Sequence, residues 1–242
     1  MRIPRIYTNQ ALSENTSVTL DAAAAHYVTK VLRMKSGRPI ILFNGQGGEY
    51  KGYVAIIDKK LTSIDVEAFV NAQPESKLNT SLGMCLIKND RMDWLLQKAT
   101  ELGVSTISPL ISTYTDNKLP AERIDKKMQH WRQILISACQ QSGRTRLPSI
   151  EIPQPLSQWL EQADAACKLV LHPYKTAGID TLELPSANIA LLIGPEGGLS
   201  ESEVDSAIEQ GFSACSLGPR MLRAETAALT TLSILHYRFG DL

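Results

Sequence analysis

The pattern of apolar and polar positions divides the chain into two parts of different character. In the first part short β-rich runs follow one another, and the last of them alternates clearly between apolar and polar residues: PIILFNG, EYKGYVAIID and LTSIDVEAFV. A glycine-rich turn at residues 45–48 separates the first two runs and is typical of a hairpin. A helix is predicted after Asp21, which can cap its first turn. Several short strands with tight turns predict a small β-barrel.

After residue 80, strands alternate with helices. Apolar runs predict buried strands at SLGMCLIK, STISPLIS, CKLVLHP, NIALLIGP and SACSLGP. Helices are predicted from Asp90, a possible cap, to Gly103, from about Ala121 to Gln141, and over Leu156–Ala163, Ser200–Gln210 and Ala224–Phe239. This alternation is typical of an α/β domain with a mainly parallel sheet. The polar segment 71–80 is the best linker candidate, so we predict domains at residues 1–72 and 73–242.

Composition narrows the cellular setting. The longest apolar runs fall short of the roughly 20 residues that cross a bilayer, and the opening MRIPRIYTNQ lacks the apolar core of a secretion signal. We therefore expect a cytoplasmic protein with no membrane partner. The four cysteines lie far apart in apolar runs, with no histidine at zinc spacing, so we expect core residues and no metal site.

Charge is balanced overall but not along the chain. The formal net charge is zero, which by itself argues against nucleic acid. Residues 1–40 nevertheless carry six Lys or Arg against two acids, and residues 118–146 carry seven against two. These segments are compatible with solvated faces or with phosphate contacts, where each cation releases counterions on binding.

The first candidate site is the stretch IALLIGPEGGLSESE at residues 189–203. An apolar strand runs into the turn Gly194–Gly198, and a helix follows, with Ser200 and Glu203 spaced as a capping box. Ligands of α/β sheets bind beyond the carboxyl ends of strands, where glycines allow a close approach of the backbone. A tight turn without a ligand remains the alternative. The phosphate-loop lysine and the G-x-G-x-x-G spacing are absent, which disfavours a nucleotide-dependent enzyme.

A second loop repeats this design in SACSLGPRMLRAETA, residues 213–227, with a short strand, a Gly-Pro turn and a helix start. Glu225 and Thr226 fall in the first helical turn, where they satisfy free N–H groups or face a ligand. Glu225 and Glu196 are each compatible with a purely structural role at a helix start or turn.

Together the two loops resemble those of the RsmE family of SPOUT methyltransferases, which methylate N3 of a uridine in small-subunit ribosomal RNA. The resemblance extends to RIPRIY at residues 2–7, His26 with VLR at 31–33 and Gly37, QKATELG at 97–103 and QSGR at 141–144. These four segments and the two loops occur in the family's order, and the resemblance extends over nearly the whole chain.

The resemblance implies a fold and partners. It implies a PUA-like barrel at the N-terminus, a C-terminal α/β domain with a trefoil knot, and bent S-adenosylmethionine bound by three loops at the knot. It also implies a homodimer that acts on small-subunit ribosomal RNA, either free or in the assembled subunit.

Site residues follow from the resemblance and from the chemistry of uracil N3, whose proton must leave as the methyl group arrives. The first cofactor loop is 171–173. The cofactor contacts are predicted at Leu171, His172, Gly194, Pro195, Glu196, Gly197, Gly198, Leu217, Gly218, Met221, Leu222 and Thr226. Catalytic roles are predicted for Arg220 and Arg223 as cations, with Glu101, Glu196 and Glu225 as candidate bases. RNA contacts are predicted at Arg2, Arg5, Lys30, Arg33, Lys35, Lys88, Arg91, Arg144 and Arg146.

Two alternatives remain at this level. One is a SPOUT methyltransferase that acts on another ribosomal base or on transfer RNA. The other is a non-enzymatic RNA-binding protein on a degenerate methyltransferase fold, which the intact glycines and arginines of both loops disfavour.

Overall fold

The computed structural model describes residues 3–58, 61–72, 75–116, 119–172, 177–179 and 187–242. Contacts divide the chain into two compact units, Met1–Glu75 with Ile136–Leu147, and Ser76–Leu135 with Pro148–Leu242. The segment Ile136–Leu147 thus groups with the first unit although it lies within the second predicted domain. The domain limits at 1–72 and 73–242 stay a prediction.

The first unit contains a mixed five-stranded sheet in the order β1-β3-β4-β5-β2. Its strands are β1 (Arg5–Tyr7), β2 (Thr16–Thr19), β3 (Pro39–Phe43), β4 (Glu49–Ile57) and β5 (Thr62–Val70). Strand β1 is parallel to β3, and the other neighbouring pairs are antiparallel. The predicted hairpin around residues 45–48 is confirmed as the β3–β4 connection. Closure of this sheet into a barrel stays a prediction.

The helix predicted after Asp21 changes from α-helical to π-helical winding partway along. Helix α1 (Ala22–His26) begins at Asp21, whose carboxylate accepts a hydrogen bond from Ala24 N at 2.9 Å, as expected of a cap. Over Tyr27–Val31 the chain winds as a π-helix, and Arg33 has a positive φ of 51°. The left-handed backbone at Arg33 ends the helical run before the loop that carries Lys35.

The second unit is built on an eight-stranded sheet whose described neighbours are all parallel. The strand order is β11-β13-β10-β12-β6-β7-β8, and β9 also pairs with β7. The strands are β6 (Asn79–Cys85), β7 (Thr106–Ile111), β8 (Ser149–Ile150), β9 (Gln154–Pro155), β10 (Cys167–Leu171), β11 (Ala177–Gly178), β12 (Asn188–Ile193) and β13 (Ser213–Ser216). The predicted α/β class with a mainly parallel sheet is confirmed.

After β6 the described chain contains five α-helices: α2 (Asn89–Glu101), α3 (Ala121–Ser142), α4 (Leu156–Gln162), α5 (Glu201–Glu209) and α6 (Ala224–Phe239). Two local predictions were wrong. Asp90 is not the cap of α2, since that helix follows Lys88 and Asp90 lies in its first turn. The linker ends before residue 80, because Asn79 already pairs with Asn188 of β12. Pairing with a distant strand decided that boundary, not local polarity.

The core of the second unit lies on the central strands. Leu82, Leu169 and Leu191 are fully buried, and Trp159 of α4 packs on Phe212 with ring centroids 5.7 Å apart. All four cysteines are buried and free, as the sequence predicts. Burial raises the pKa of Cys85 and Cys215 to about 12, so these thiols stay protonated at neutral pH.

The described residues contain no group of three or more His, Cys, Asp or Glu side chains placed to hold a metal ion. They also contain no helix long and apolar enough to cross a membrane.

A buried ionic network ties the first unit together. Arg5 pairs with Glu49 and donates to Arg144 O at 3.2 Å. Arg144 pairs with Glu75 through Nη2 and Oε2 at 2.9 Å. The other oxygen of Glu75 accepts hydrogen bonds from Thr145 N and Arg146 N, at 3.2 and 2.9 Å. One carboxylate therefore neutralises a buried guanidinium and fixes the backbone beside it.

We expect Glu75→Ala to lower the free energy of unfolding by about 3 kcal/mol, because it leaves the guanidinium of Arg144 buried without its carboxylate. Glu67→Ala is the matched control, since Glu67 is exposed on β5, and it should change stability by less than about 0.5 kcal/mol. Urea unfolding followed by circular dichroism measures both. Equal stabilities of the two variants would contradict a structural role for the network.

Candidate functional site

Three neighbouring strands of the second unit end at one cavity. Strands β13, β10 and β12 are adjacent and parallel, so the loops after them emerge at the same edge of the sheet. These loops and Arg91 of α2 line a cavity of about 590 Å³. Small-molecule sites in proteins typically occupy about 300–1,000 Å³. The structure therefore joins the two loops singled out in the sequence into one ligand-sized site.

The lining follows the predicted cofactor loops closely. Of the predicted contacts, the cavity is lined by Leu171, His172, Gly194, Pro195, Glu196, Gly197, Gly198, Leu217, Gly218, Met221 and Leu222. Thr226 lies outside this lining and is exposed in the first turn of α6. Residue Pro173, predicted at the end of the first cofactor loop, lies outside the described residues.

The glycines of the first loop serve its own packing. Gly198 N donates to Pro195 O at 2.9 Å, closing a tight turn, and Gly198 has a φ of 77° that disfavours a side chain. A Cβ on Gly197 would lie 3.0 Å from Cβ of Tyr114. The sequence predicts that these glycines allow a close approach of ligand, and the turn at Gly198 and the nearby Tyr114 give them a role in the packing of the loop as well.

The helix after this loop is fixed at its start by the predicted capping box, which is confirmed. Glu203 N donates to Ser200 Oγ at 3.3 Å, and Ser200 N donates to Glu203 Oε2 at 2.8 Å. Glu203 also accepts hydrogen bonds from Thr113 N and Oγ1, at 2.7 and 3.0 Å. This second set of contacts joins α5 to the loop after β7. No local sequence pattern indicates it, because the residues are 90 positions apart.

These hydrogen bonds set the protonation of Glu203. Partial burial raises the pKa of the carboxyl group, but the donors of Thr113 and Ser200 outweigh burial and hold the pKa below its ordinary value of 4.5. The carboxylate form is thus the one that the fold stabilises.

The second loop presents cations at the cavity rim. Helix α6 begins at Ala224 after Arg223, whose side chain makes no capping hydrogen bond. Its partial positive charge therefore lies beside the cavity, which Arg223 and Ala224 line. Arg220 and Arg223 are both exposed and both line the cavity. The two arginines predicted to act on the substrate are therefore brought to one rim.

Arg91 is the lining residue that the sequence analysis assigned to a different role. It was predicted as an RNA contact, but its Nη1 lies 3.5 Å from Glu196 Oε1 and its Nε lies 3.8 Å from Glu225 Oε1. Glu225 is 7% exposed and is not among the lining residues. No local pattern could show this arrangement, because it depends on the packing of α2 against α6.

The remaining predicted catalytic carboxylate lies apart. Glu101 pairs with Lys98 at 2.8 Å near the end of α2 and does not line the cavity. It is ten residues from Arg91, or roughly 15 Å along the helix at 1.5 Å per residue.

The predicted RNA contacts fall into two groups. Exposed cations are Lys30, Arg33, Lys35, Lys88 and Arg146. Arg5 and Arg144 are instead engaged in the ionic network of the first unit, so their placement gives no support to direct RNA contact. Arg2 lies outside the described residues.

Comparison with known proteins agrees with this geometry. Residues 74–236 match the RNA methyltransferase domain family, and residues 20–67 match the RNA methyltransferase PUA domain family. A ribosomal RNA small subunit methyltransferase E from Buchnera aphidicola subsp. Schizaphis graminum is 36% identical over 242 residues, covering 100% of this chain and 98% of the relative.

Two solved structures extend the similarity to the whole backbone. A Legionella pneumophila protein determined in complex with the cofactor SAM superposes with a TM-score of 0.97 at 37% identity, with 100% of both chains covered. Ribosomal RNA small subunit methyltransferase E from Neisseria gonorrhoeae, bound to S-adenosyl methionine, gives a TM-score of 0.94 at 32% identity, again over 100% of both chains.

The parallel sheet with its loop-lined cavity is thus that of an RNA methyltransferase domain of the SPOUT type, preceded by a PUA domain. More particularly, the chain belongs to the ribosomal RNA small subunit methyltransferase E family. The resemblance described from the two loops is confirmed.

We expect Glu203→Gln to be less stable than the unchanged protein by about 1 kcal/mol at pH 7, because the carboxylate is the better acceptor for its four donors. A lowered pKa in the folded state contributes stability above pH 4.5, and that contribution is lost as the pH falls through the folded value. The difference should therefore shrink in urea titrations as the pH falls below 4.5.

Glu209→Gln is the control for this measurement, since Glu209 is exposed at the other end of α5. It should match the unchanged protein at every pH. A pH-independent difference for Glu203→Gln would rule out the ionised carboxylate as the source of stability.

Proposed function

We propose that the chain transfers a methyl group from S-adenosylmethionine to N3 of a specific uridine in small-subunit 16S ribosomal RNA. The observation that carries the proposal is the cavity at the ends of β10, β12 and β13. The same backbone occurs, with a TM-score of 0.97, in a Legionella pneumophila protein that was determined with SAM bound.

The residues present fit this cofactor. A nucleoside needs apolar surface and backbone groups, and the cavity offers Leu171, Ile193, Leu217 and Leu222 beside the glycine loop. Phosphate recognition is not required, which agrees with the missing phosphate-loop lysine. The volume of about 590 Å³ accommodates one nucleoside with an amino-acid chain.

Direct methyl transfer needs no nucleophile on the protein, but it does need residues at the cavity rim that hold the uracil. S-adenosylmethionine, when bound, supplies a methyl group on a sulfonium that is open to direct displacement. Arg220 and Arg223 lie at the rim, where a guanidinium stabilises the negative charge that spreads over the uracil oxygens as N3 loses its proton. Alignment of the two reactants contributes much of the rate.

The three carboxylates considered as general bases differ in whether they line the cavity. Glu196 lines the cavity and is exposed, so it is the best placed to accept the N3 proton. Glu225 lies behind Arg91 and Glu101 lies farther along α2, so neither is in the lining.

RNA contacts are proposed on the exposed cations of each unit taken separately. In the first unit Lys30, Arg33 and Lys35 lie at and after the π-helix, all with exposed side chains. In the second unit Lys88 is exposed directly before α2. Such cations position the phosphates, and the cavity rim selects the base.

Membership in the family supports three further proposals. The chain acts as a homodimer, its C-terminal loops form a trefoil knot, and its place of action is the cytoplasm, where ribosomal RNA is modified. Free RNA and the assembled subunit remain alternative substrates.

Methyl transfer with labelled S-adenosylmethionine tests the proposed function directly. The purified chain should label naked 16S RNA or assembled small subunits from a strain that lacks the corresponding gene, and mass mapping should place one methyl group on a uridine N3. Transfer RNA is the parallel substrate. Label on transfer RNA, or on another base, would replace this proposal by the alternative substrate class.

We expect Gly197→Val to weaken binding of S-adenosylmethionine at least tenfold, because a branched side chain at 3.0 Å from Tyr114 Cβ forces the loop out of place. Gly197→Ala should have a smaller effect of the same sign. Calorimetry gives both affinities, and circular dichroism checks that the fold is retained. Unchanged affinity for the valine variant would remove this loop from the site.

A further inference from the structure

Arg91 is held from two sides by carboxylates. Its Nη1 faces Glu196 of the loop after β12, at 3.5 Å, and its Nε faces Glu225 of α6, at 3.8 Å. The two carboxylates come from different elements, and Glu196 is also fixed by Lys88 N at 3.1 Å. A guanidinium is a planar fork with five donors, so carboxylates on two of its edges favour one orientation of the group, through a hydrogen bond to Glu196 and an ion pair with Glu225.

Nη2, the third nitrogen of the Arg91 guanidinium, makes no hydrogen bond to the described residues. Among the described residues none accepts a hydrogen bond from Nη2 of Arg91, although the side chain lines the cavity and is only 27% exposed. Two donors on a half-buried, oriented guanidinium thus have no acceptor within the described protein. Unmet donors of a charged group at a ligand site are typical of an anion-binding position.

Glu225 stabilises Arg91 in its position beside the cavity. Its side chain is 9% exposed, and Oε2 has no hydrogen-bond partner among the described residues. Breaking a buried ion pair leaves an uncompensated charge, so Glu225 requires the guanidinium beside it. The contact therefore presents Arg91 to the cavity rather than releasing it to solvent.

The N-terminus of α6, like Arg91, contributes positive charge at the cavity. Helix α6 starts at the cavity without a capping hydrogen bond from the side chain of its N-cap residue, Arg223, and its macrodipole is positive there. Arg91 and this helix end together favour a negatively charged group between them.

We propose that Arg91 is an anion-binding residue of the cavity in addition to Arg220 and Arg223, with Nη2 donating to a carboxylate or oxyanion of the bound molecules. The proposal rests on the proposed function, because two such anions then exist. One is the α-carboxylate of the cofactor, and the other is the uracil oxygen that gains charge as N3 loses its proton. Glu196 and Glu225 are the positioning residues of Arg91.

Two nucleosides separate these sources. S-adenosylhomocysteine carries the amino-acid carboxylate, whereas 5′-methylthioadenosine lacks it and keeps the adenosine part. We would measure both affinities by calorimetry for the unchanged protein, Arg91→Gln and Arg91→Lys, and then measure the single-turnover rate of methyl transfer with saturating cofactor.

Contact with the cofactor carboxylate predicts that Arg91→Gln binds S-adenosylhomocysteine about tenfold to a hundredfold more weakly, with unchanged affinity for 5′-methylthioadenosine. Contact with the uracil predicts unchanged affinity for both nucleosides and a rate lower by about a hundredfold. Arg91→Lys should recover part of either loss, since it retains the charge but not the fork.

Equal weakening of both nucleosides would overturn the proposal, because it would mean that Arg91 only supports the loop. Unchanged affinities and an unchanged rate would also overturn it. If the unchanged protein bound neither nucleoside, the proposed function itself would fail, and this inference with it.

Two further variants guard against loss of folding. Arg123→Gln, on the exposed surface of α3, is the matched control and should retain both affinities. The double variant Arg91→Gln with Glu225→Gln removes the buried charge that the single change leaves unpaired. If Arg91→Gln alone does not fold, the double variant takes its place in the same measurements. The same results then support or contradict the proposal.

Discussion

The site depends on one constraint, which is that three parallel strands end side by side. Leu169 and Val170 of β10 pair with both neighbouring strands, β12 and β13, and both residues are fully buried. Parallel strands covered on both faces keep this order because shifting one of them would expose its apolar side chains. The loops that follow must therefore share one edge, and they supply most of the residues that line the cavity.

Polar contacts then hold those loops from outside the sheet. Glu203 joins the first loop's helix to the segment after β7, and Arg91 lies against Glu196 of the first loop and Glu225 of the second loop's helix. Each carboxylate is met by donors from a distant part of the chain. The loops are thus preorganised without the ligand, so less ordering entropy is lost when a small molecule binds.

In the first unit, carboxylates also pair with donors from distant parts of the chain, but there they bury two arginines. Glu75 neutralises Arg144 and fixes two backbone amides, and Arg5 pairs with Glu49. These arginines look like RNA contacts in the sequence because they lie in basic segments. Burial turns them into structural cations, whereas the nearby Lys30, Arg33 and Lys35 stay exposed and available to phosphates.

The sequence by itself determined the α/β class, the capping box at Ser200, both cavity loops and the family, because these depend on local periodicity, capping chemistry and short ordered motifs. Tertiary structure decided what depends on distant contacts. It began β6 at Asn79 through its pairing with β12, placed Glu101 away from the cavity, and set Arg91 between two carboxylates. Packing of elements far apart in the chain is invisible to local patterns. The two cavity loops were therefore evident in the sequence, while the guanidinium beside them was not.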